Sequence, residues 1–223
     1  MSKVDALGIA SESFNFLTKL FKNVGNLLLL IVLNAIPIVN FIVLGYFCRI
    51  LRYDLEEPPE LRAQDIGSMF VDGLRIFLAV LLYMIVPLLV FIVLASPALL
   101  LAPLGGGFML LHLLSAAAVA IVLALAILFF ALPQLAIMVR TDNFGKLFAF
   151  NEGWSLVQAF GLGNYVLLFV VLAGFNLIAT AVLQGVIPYV GAAIAGVFTG
   201  AFTFKALSYL VNLKYPVPPS PPG

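Results

Sequence analysis

Charge is scarce in this sequence. Asp, Glu, Lys and Arg make up 9% of 223 residues, where a soluble domain carries about 25%, so the chain cannot clothe a globular surface in solvated side chains. A formal net charge of +1 leaves no basic face for phosphates and excludes nucleic acid as a partner. One cysteine, Cys48, excludes an internal disulfide. One histidine, His112, has no carboxylate or thiol at ligand spacing, so no metal site and no cofactor are expected. No cleavable leader is legible, because the first 22 residues are charged and periodic and no small-residue cleavage site follows a short apolar core.

Apolar residues fill the space that charge vacates, at 64% of the chain. Residues 23–48, 76–139 and 153–204 carry no Asp, Glu, Lys or Arg. A spanning helix needs roughly 20 residues, so the runs have room for about one, two and two spans. The expectation is an all-α, polytopic integral membrane bundle. Its parts are an interfacial amphipathic helix over 1–22, a membrane domain over 23–213 and a disordered proline-rich tail over 214–223.

At about 100° per residue, Leu7, Ile9, Ala10, Phe14, Phe16, Leu17, Leu20 and Phe21 share one broad side, opposite Glu12, Asn15, Thr18, Lys19 and Lys22. Ser13 alone interrupts the apolar side. Such a helix suits the headgroup plane; the alternative is an amphipathic helix packed on a partner.

The run 23–48 is either one kinked span or a hairpin turning at Asn34–Asn40, where Pro37 removes a backbone donor. One span would split the eleven Lys and Arg three to eight across the membrane; a hairpin puts all eleven on one side. The positive-inside rule favours the hairpin. Its arms are short, so it either spans or is re-entrant. The other runs break at Ala102–Phe108, with Pro103, and at Gln184–Gly191, with Pro188. The spans then lie near 76–101, 109–132, 164–183 and 190–210. Pro87, Pro97 and Pro133 are further possible helix breaks. The result is three helical hairpins on one charged base. Both termini would be cytoplasmic, in the cell (cytoplasmic) membrane.

Six of the ten acidic residues fall between Ile36 and Phe77. Here the chain leaves the apolar phase at Arg49, turns through Glu56-Glu57-Pro58-Pro59-Glu60 and re-enters after Arg75. Arg49 and Arg52 share a helix face, as do Asp72 and Arg75. Either arginine, paired with Asp72 or Glu60, would clamp this elbow; otherwise the arginines snorkel to headgroups. Gly196 and Gly200 give a small-residue face for helix packing, within the chain or between copies. Two segments share I-P-x-V-x5-G-x-F, at Ile36-Pro37…Gly45-Tyr46-Phe47 and Ile187-Pro188…Gly196-Val197-Phe198, as an internal repeat would. Lys205 is the one charge inside an expected span, close enough to its end to snorkel, so no deeply buried charge is expected.

The elbow also carries a resemblance. Gly45-Tyr46-x-x-Arg49-x-x-Arg52, then Glu57-Pro-Pro-Glu60-Leu61, then Phe70-x-Asp72-Gly73-Leu74, resembles the prokaryotic membrane family known as domain-of-unknown-function family 4013. Glu152-Gly-Trp154 through Ile187-Pro…Gly191 is similar too. The chain departs at the turn, where Pro58-Pro59 precede Glu60-Leu61 and no proline follows. The resemblance implies an identity and no activity.

These residues assemble no catalytic constellation. The expected function is that of a non-catalytic structural or accessory subunit, in contact with lipid and with a protein partner or further copies of itself. The alternatives are a passive channel or small-solute transporter lined by Asn and Gln, and a membrane-shaping hairpin protein.

Overall fold

The computed structural model describes residues 5–98 and 106–219. Among them are eight α-helices and no strand. In chain order they are α1 (Ala6–Lys19), α2 (Val24–Ala35), α3 (Asn40–Tyr53), α4 (Ile66–Ala95), α5 (Gly106–Thr141), α6 (Phe150–Phe160), α7 (Leu162–Val186) and α8 (Val190–Val211). Helices α4, α5, α7 and α8 are long and apolar enough to cross a membrane.

Helix α1 starts at Asp5, whose carboxylate accepts the Gly8 N–H at 2.8 Å. A 3-10 turn over Leu20–Lys22 follows, and the chain bends by 103° into α2. That bend sets α1 nearly perpendicular to α2. The apolar arc of α1 divides into two. Ala6, Ile9, Ser13, Phe16 and Leu17 are buried where the helix meets α7 and α8. Leu7, Phe14 and Phe21, seven residues apart, stay 56–60% exposed. The arc is too broad for one contact. Ser13, the interruption in the pattern, lies in the middle of the buried half.

Residues 23–48 form a hairpin. Helix α2 ends at Ala35 and α3 begins at Asn40. Ile38 between them takes φ 71°, a left-handed conformation rare for a β-branched residue. The strain recurs in the second I-P-x-V turn, where Tyr189 has φ 66°. In both turns the isoleucine carbonyl accepts an N–H four residues on: Asn40 N to Ile36 O at 3.0 Å, and Gly191 N to Ile187 O at 2.7 Å. The sequence repeat is therefore also a repeat of turn geometry. With 12 and 14 residues, α2 and α3 measure roughly 18 and 21 Å at 1.5 Å per residue, short of the ~30 Å hydrocarbon core.

The long helices overrun their expected limits at the base. Helix α4 begins at Ile66 rather than near 76, and α5 continues to Thr141 rather than ending near 132. Pro133 lies inside α5 without ending it. Proline deprives the carbonyl four residues earlier of its partner, and the Tyr165 hydroxyl donates to that carbonyl, Phe129 O, at 2.5 Å. The turn expected around Pro103 lies outside the described residues.

Helices α3 and α4 touch backbone to backbone. A Cβ on Gly45 would stand 1.8 Å from Met69 O, and one on Gly73 1.8 Å from Phe41 O. Gly196 and Gly200 face inward as well: their missing Cβ atoms would meet the Asn34 amide at 2.5 Å and the Phe47 ring at 2.2 Å. Both glycines are thus occupied by packing within the chain.

Candidate functional site: the charged base

All three hairpins close at one end through polar contacts. Lys22 lies 3.1 Å from Glu57, and Asn26 brackets the elbow, donating to Pro59 O at 3.1 Å and accepting from Leu61 N at 3.0 Å. These contacts hold the entry of α2 beside the exit of α3. At the other pole, His112 Nε2 lies 2.8 Å from Leu94 O and bonds α5 to α4.

The ends of α3 and α5 are stapled to each other reciprocally. Each finishes in Arg-x-Asp: Arg52-Tyr53-Asp54 and Arg140-Thr141-Asp142. Arg52 Nε donates to Val139 O at 3.0 Å, and Arg140 Nη2 donates to Leu51 O at 2.8 Å. Each guanidinium thus binds the carbonyl just before the other arginine. A cation there satisfies orphan carbonyls and meets the negative end of the helix dipole. Both aspartates terminate their helices in the left-handed region, Asp54 at φ 48° and Asp142 at φ 51°, a conformation Asp tolerates better than most residues.

The staple draws in the elbow. Arg52 grips Asp72 with two parallel bonds of 2.9 and 3.1 Å and reaches Asp142 at 3.1 Å. Arg75 bridges Asp142 at 2.6 Å and Asp72 at 3.4 Å. Arg49 binds Asp65 and Ser68 at 2.9 and 3.0 Å. Glu60 stays apart, with the Asn23 amide 3.4 Å away. Tyr46 is fully buried, its ring edge-on to Phe47. Pro37 and Pro188 lie in their turns.

A second cluster was not legible in the chain. Asp54 accepts from Lys205 Nζ and Ser208 Oγ, each at 2.8 Å, and from Asn212 Nδ2 at 2.6 Å. Lys205 does not snorkel. It is 2% exposed, with its ammonium 4.5 Å from the centre of the Tyr209 ring. With Arg140 at 4% and Asp72 at 8%, it corrects the expectation of no deeply buried charge. Beside it a polar cavity of about 360 Å³ is bordered by Glu12, Asn15, Lys19 and Glu56. The third cluster ties down the segment after α8: Glu152 takes a hydrogen bond from Lys146 and one of 2.6 Å from the Tyr215 hydroxyl. Those bonds, Lys146 first, hold the Glu152 carboxyl below its usual range.

The signal for the missed residues was the repeated Arg-x-Asp. Asp142 was passed over because its partners lie 67 and 90 positions away. Chemically, the base is a set of charge-assisted cross-braces. Among the described residues no group of three His, Cys, Asp or Glu side chains is placed to hold a metal ion.

No curated protein and no solved structure matches the chain. The family described as "Protein of unknown function (DUF4013)" matches residues 28–188, from within α2 to the proline of the second I-P-x-V turn. That match covers more than half of the sequence and includes the whole elbow, and the chain belongs to this family.

Proposed function

We propose that this protein is a non-catalytic structural or accessory subunit of a membrane assembly, embedded in the cytoplasmic membrane with its charged base and both termini toward the cytoplasm. The observation that carries this reading is how the buried and half-buried charges are used. Lys205, Arg52, Arg140 and Asp72 each bind partners within the chain, bracing helices that are distant in sequence. Groups that move protons or ions are instead left poised toward a pathway. Two amides behave similarly: Asn34 donates to Ala193 O at 2.9 Å, and Asn176 to Leu172 O at 2.9 Å and Thr203 at 3.3 Å. Amides spent this way count against a pore that they would line. The orientation follows from the excess of Lys and Arg on cytoplasmic faces.

Mild-detergent purification of the full chain followed by native mass spectrometry tests the proposal. A second chain in fixed ratio is the expected result. A protein that purifies alone and conducts a solute in liposomes would overturn it.

One observation favours a second reading. The α2–α3 hairpin is shorter than the hydrocarbon core and joins α1 at 103°, a shape that wedges one leaflet. Tubulation of liposomes by the purified chain would favour membrane shaping over the accessory role.

A further inference from the structure

A cleft between α4, α5 and α6 opens on the lipid-facing side of the bundle. Its inner end, about 210 Å³, is lined by Gln134, Asn151 and Trp154 over a floor that includes Pro133. Its outer arm, about 410 Å³, is apolar, with Tyr83, Val86 and Ile127 among its walls. Phe130 and Phe150 line both, so the two adjoin, together of a size suited to a small amphiphile.

The polar end is built rather than incidental. Gln134 is 2% exposed, yet its Oε1 has no hydrogen-bond partner. A buried acceptor left unsatisfied is costly and favours a ligand that donates to it. Gly153 makes room for it: a Cβ there would lie 2.6 Å from Gln134 Nε2. Gln134 lies six residues before Arg140 on α5, roughly 9 Å deeper than the base at 1.5 Å per residue. The cleft therefore runs from just beneath headgroup depth into the acyl region.

We propose that this cleft binds a single-chain lipid with an uncharged, hydroxyl-bearing head. Among the described residues no charged side chain lines it, which disfavours a carboxylate or phosphate head. A hydroxyl donates to Gln134 Oε1 and accepts from the amide of Gln134 or Asn151, as neither an ester nor a quaternary ammonium can. The single apolar arm takes one chain. The inference rests on the membrane-embedded fold and needs no protein partner, so its failure leaves the accessory reading standing.

Trp154 is the chain's one tryptophan, so its fluorescence reports on the site. In detergent micelles the full-length protein is titrated with chain-brominated monoacylglycerol, brominated fatty acid at pH 8 and brominated phosphatidylcholine. Saturable quenching by the monoacylglycerol is expected, at a concentration at least about tenfold below the other two. Gln134→Leu should raise that half-saturation about tenfold, the worth of one hydrogen bond. Val86→Phe, which narrows the apolar arm, should abolish the saturable phase. If Gln134→Leu fails to fold, Asn151→Ala at an exposed position is expected to weaken binding several-fold. Equal quenching by all three lipids, or folded variants with unchanged half-saturation, would overturn the proposal.

Discussion

Gly45 and Gly73 are the positions least able to change. Each faces a carbonyl at a distance no side chain can share, so Gly45→Ala or Gly73→Ala must push α3 and α4 apart. Overpacking costs ~1–3 kcal/mol and more when backbone must move. Thermal unfolding in detergent should show a lower midpoint for both variants and little change for Gly67→Ala, where nothing lies within 4 Å. Arg52 is similarly specialised, since its fork serves Val139 O, Asp72 and Asp142 at once. An ammonium cannot reproduce that fork, and Arg52→Lys should destabilise almost as much as Arg52→Ala. For Lys205, removing one partner of a buried pair costs about 3–5 kcal/mol. Lys205→Met alone should therefore unfold earlier than the double variant Lys205→Met/Asp54→Asn, in which Asp54 keeps its helix-ending conformation and loses its charge. A loss in the double variant equal to the sum of the Lys205→Met and Asp54→Asn losses would mean that the pair carries no coupling. The sequence made Arg49, Arg52, Asp72 and Arg75 conspicuous because helical spacing groups them. It concealed the pairing of Asp54 with Lys205, whose 151-residue separation leaves no periodic trace.

Helix existence was legible because uncharged runs of spanning length have few other uses. Helix ends were less so. Pro133 suggests a stop, but the Tyr165 hydroxyl takes the carbonyl it frees, a contact between helices that no local pattern reveals. The division of α1 into a packed and an exposed apolar face was hidden for a related reason: periodicity reports an arc, not how many neighbours share it. The fold of 23–48 was decided by charge rather than by length, and Lys22–Glu57 with the Asn26 bracket are the contacts a hairpin requires. The last segment should respond to pH through Glu152. Its carboxyl is held below the usual range, so the stabilisation is complete above the unfolded carboxylate value of about 4.3 and is lost as pH falls through the lower folded value. The Tyr215 hydroxyl, pushed up to about 12 by burial and then by Glu152, stays protonated throughout this range and keeps donating until Glu152 takes up its proton. A spin label at Val217 should gain mobility as pH drops below about 4. Glu152→Gln should be mobile at every pH, and a label that never responds would show that this contact does not hold the tail.

Taken whole, the molecule divides its chemistry by height: lipid-facing leucines and valines above, and a base where Lys, Arg, Asp and Glu bind one another. The four long helices alone do not require the amino-terminal helix to share a side with the elbow. The short α2–α3 hairpin does, and the contacts of Lys22 and Asn26 with the elbow depend on it. Single-cysteine labelling in sealed vesicles tests this directly, with Cys48 replaced by Ala and one reporter each at Lys22, Arg62, Asn143 and Lys214. All four are expected to react with an impermeant maleimide from the same side. A reporter at Lys22 that reacts from the side opposite Arg62 would make residues 23–48 a single crossing and break the Lys22 and Asn26 contacts with the elbow.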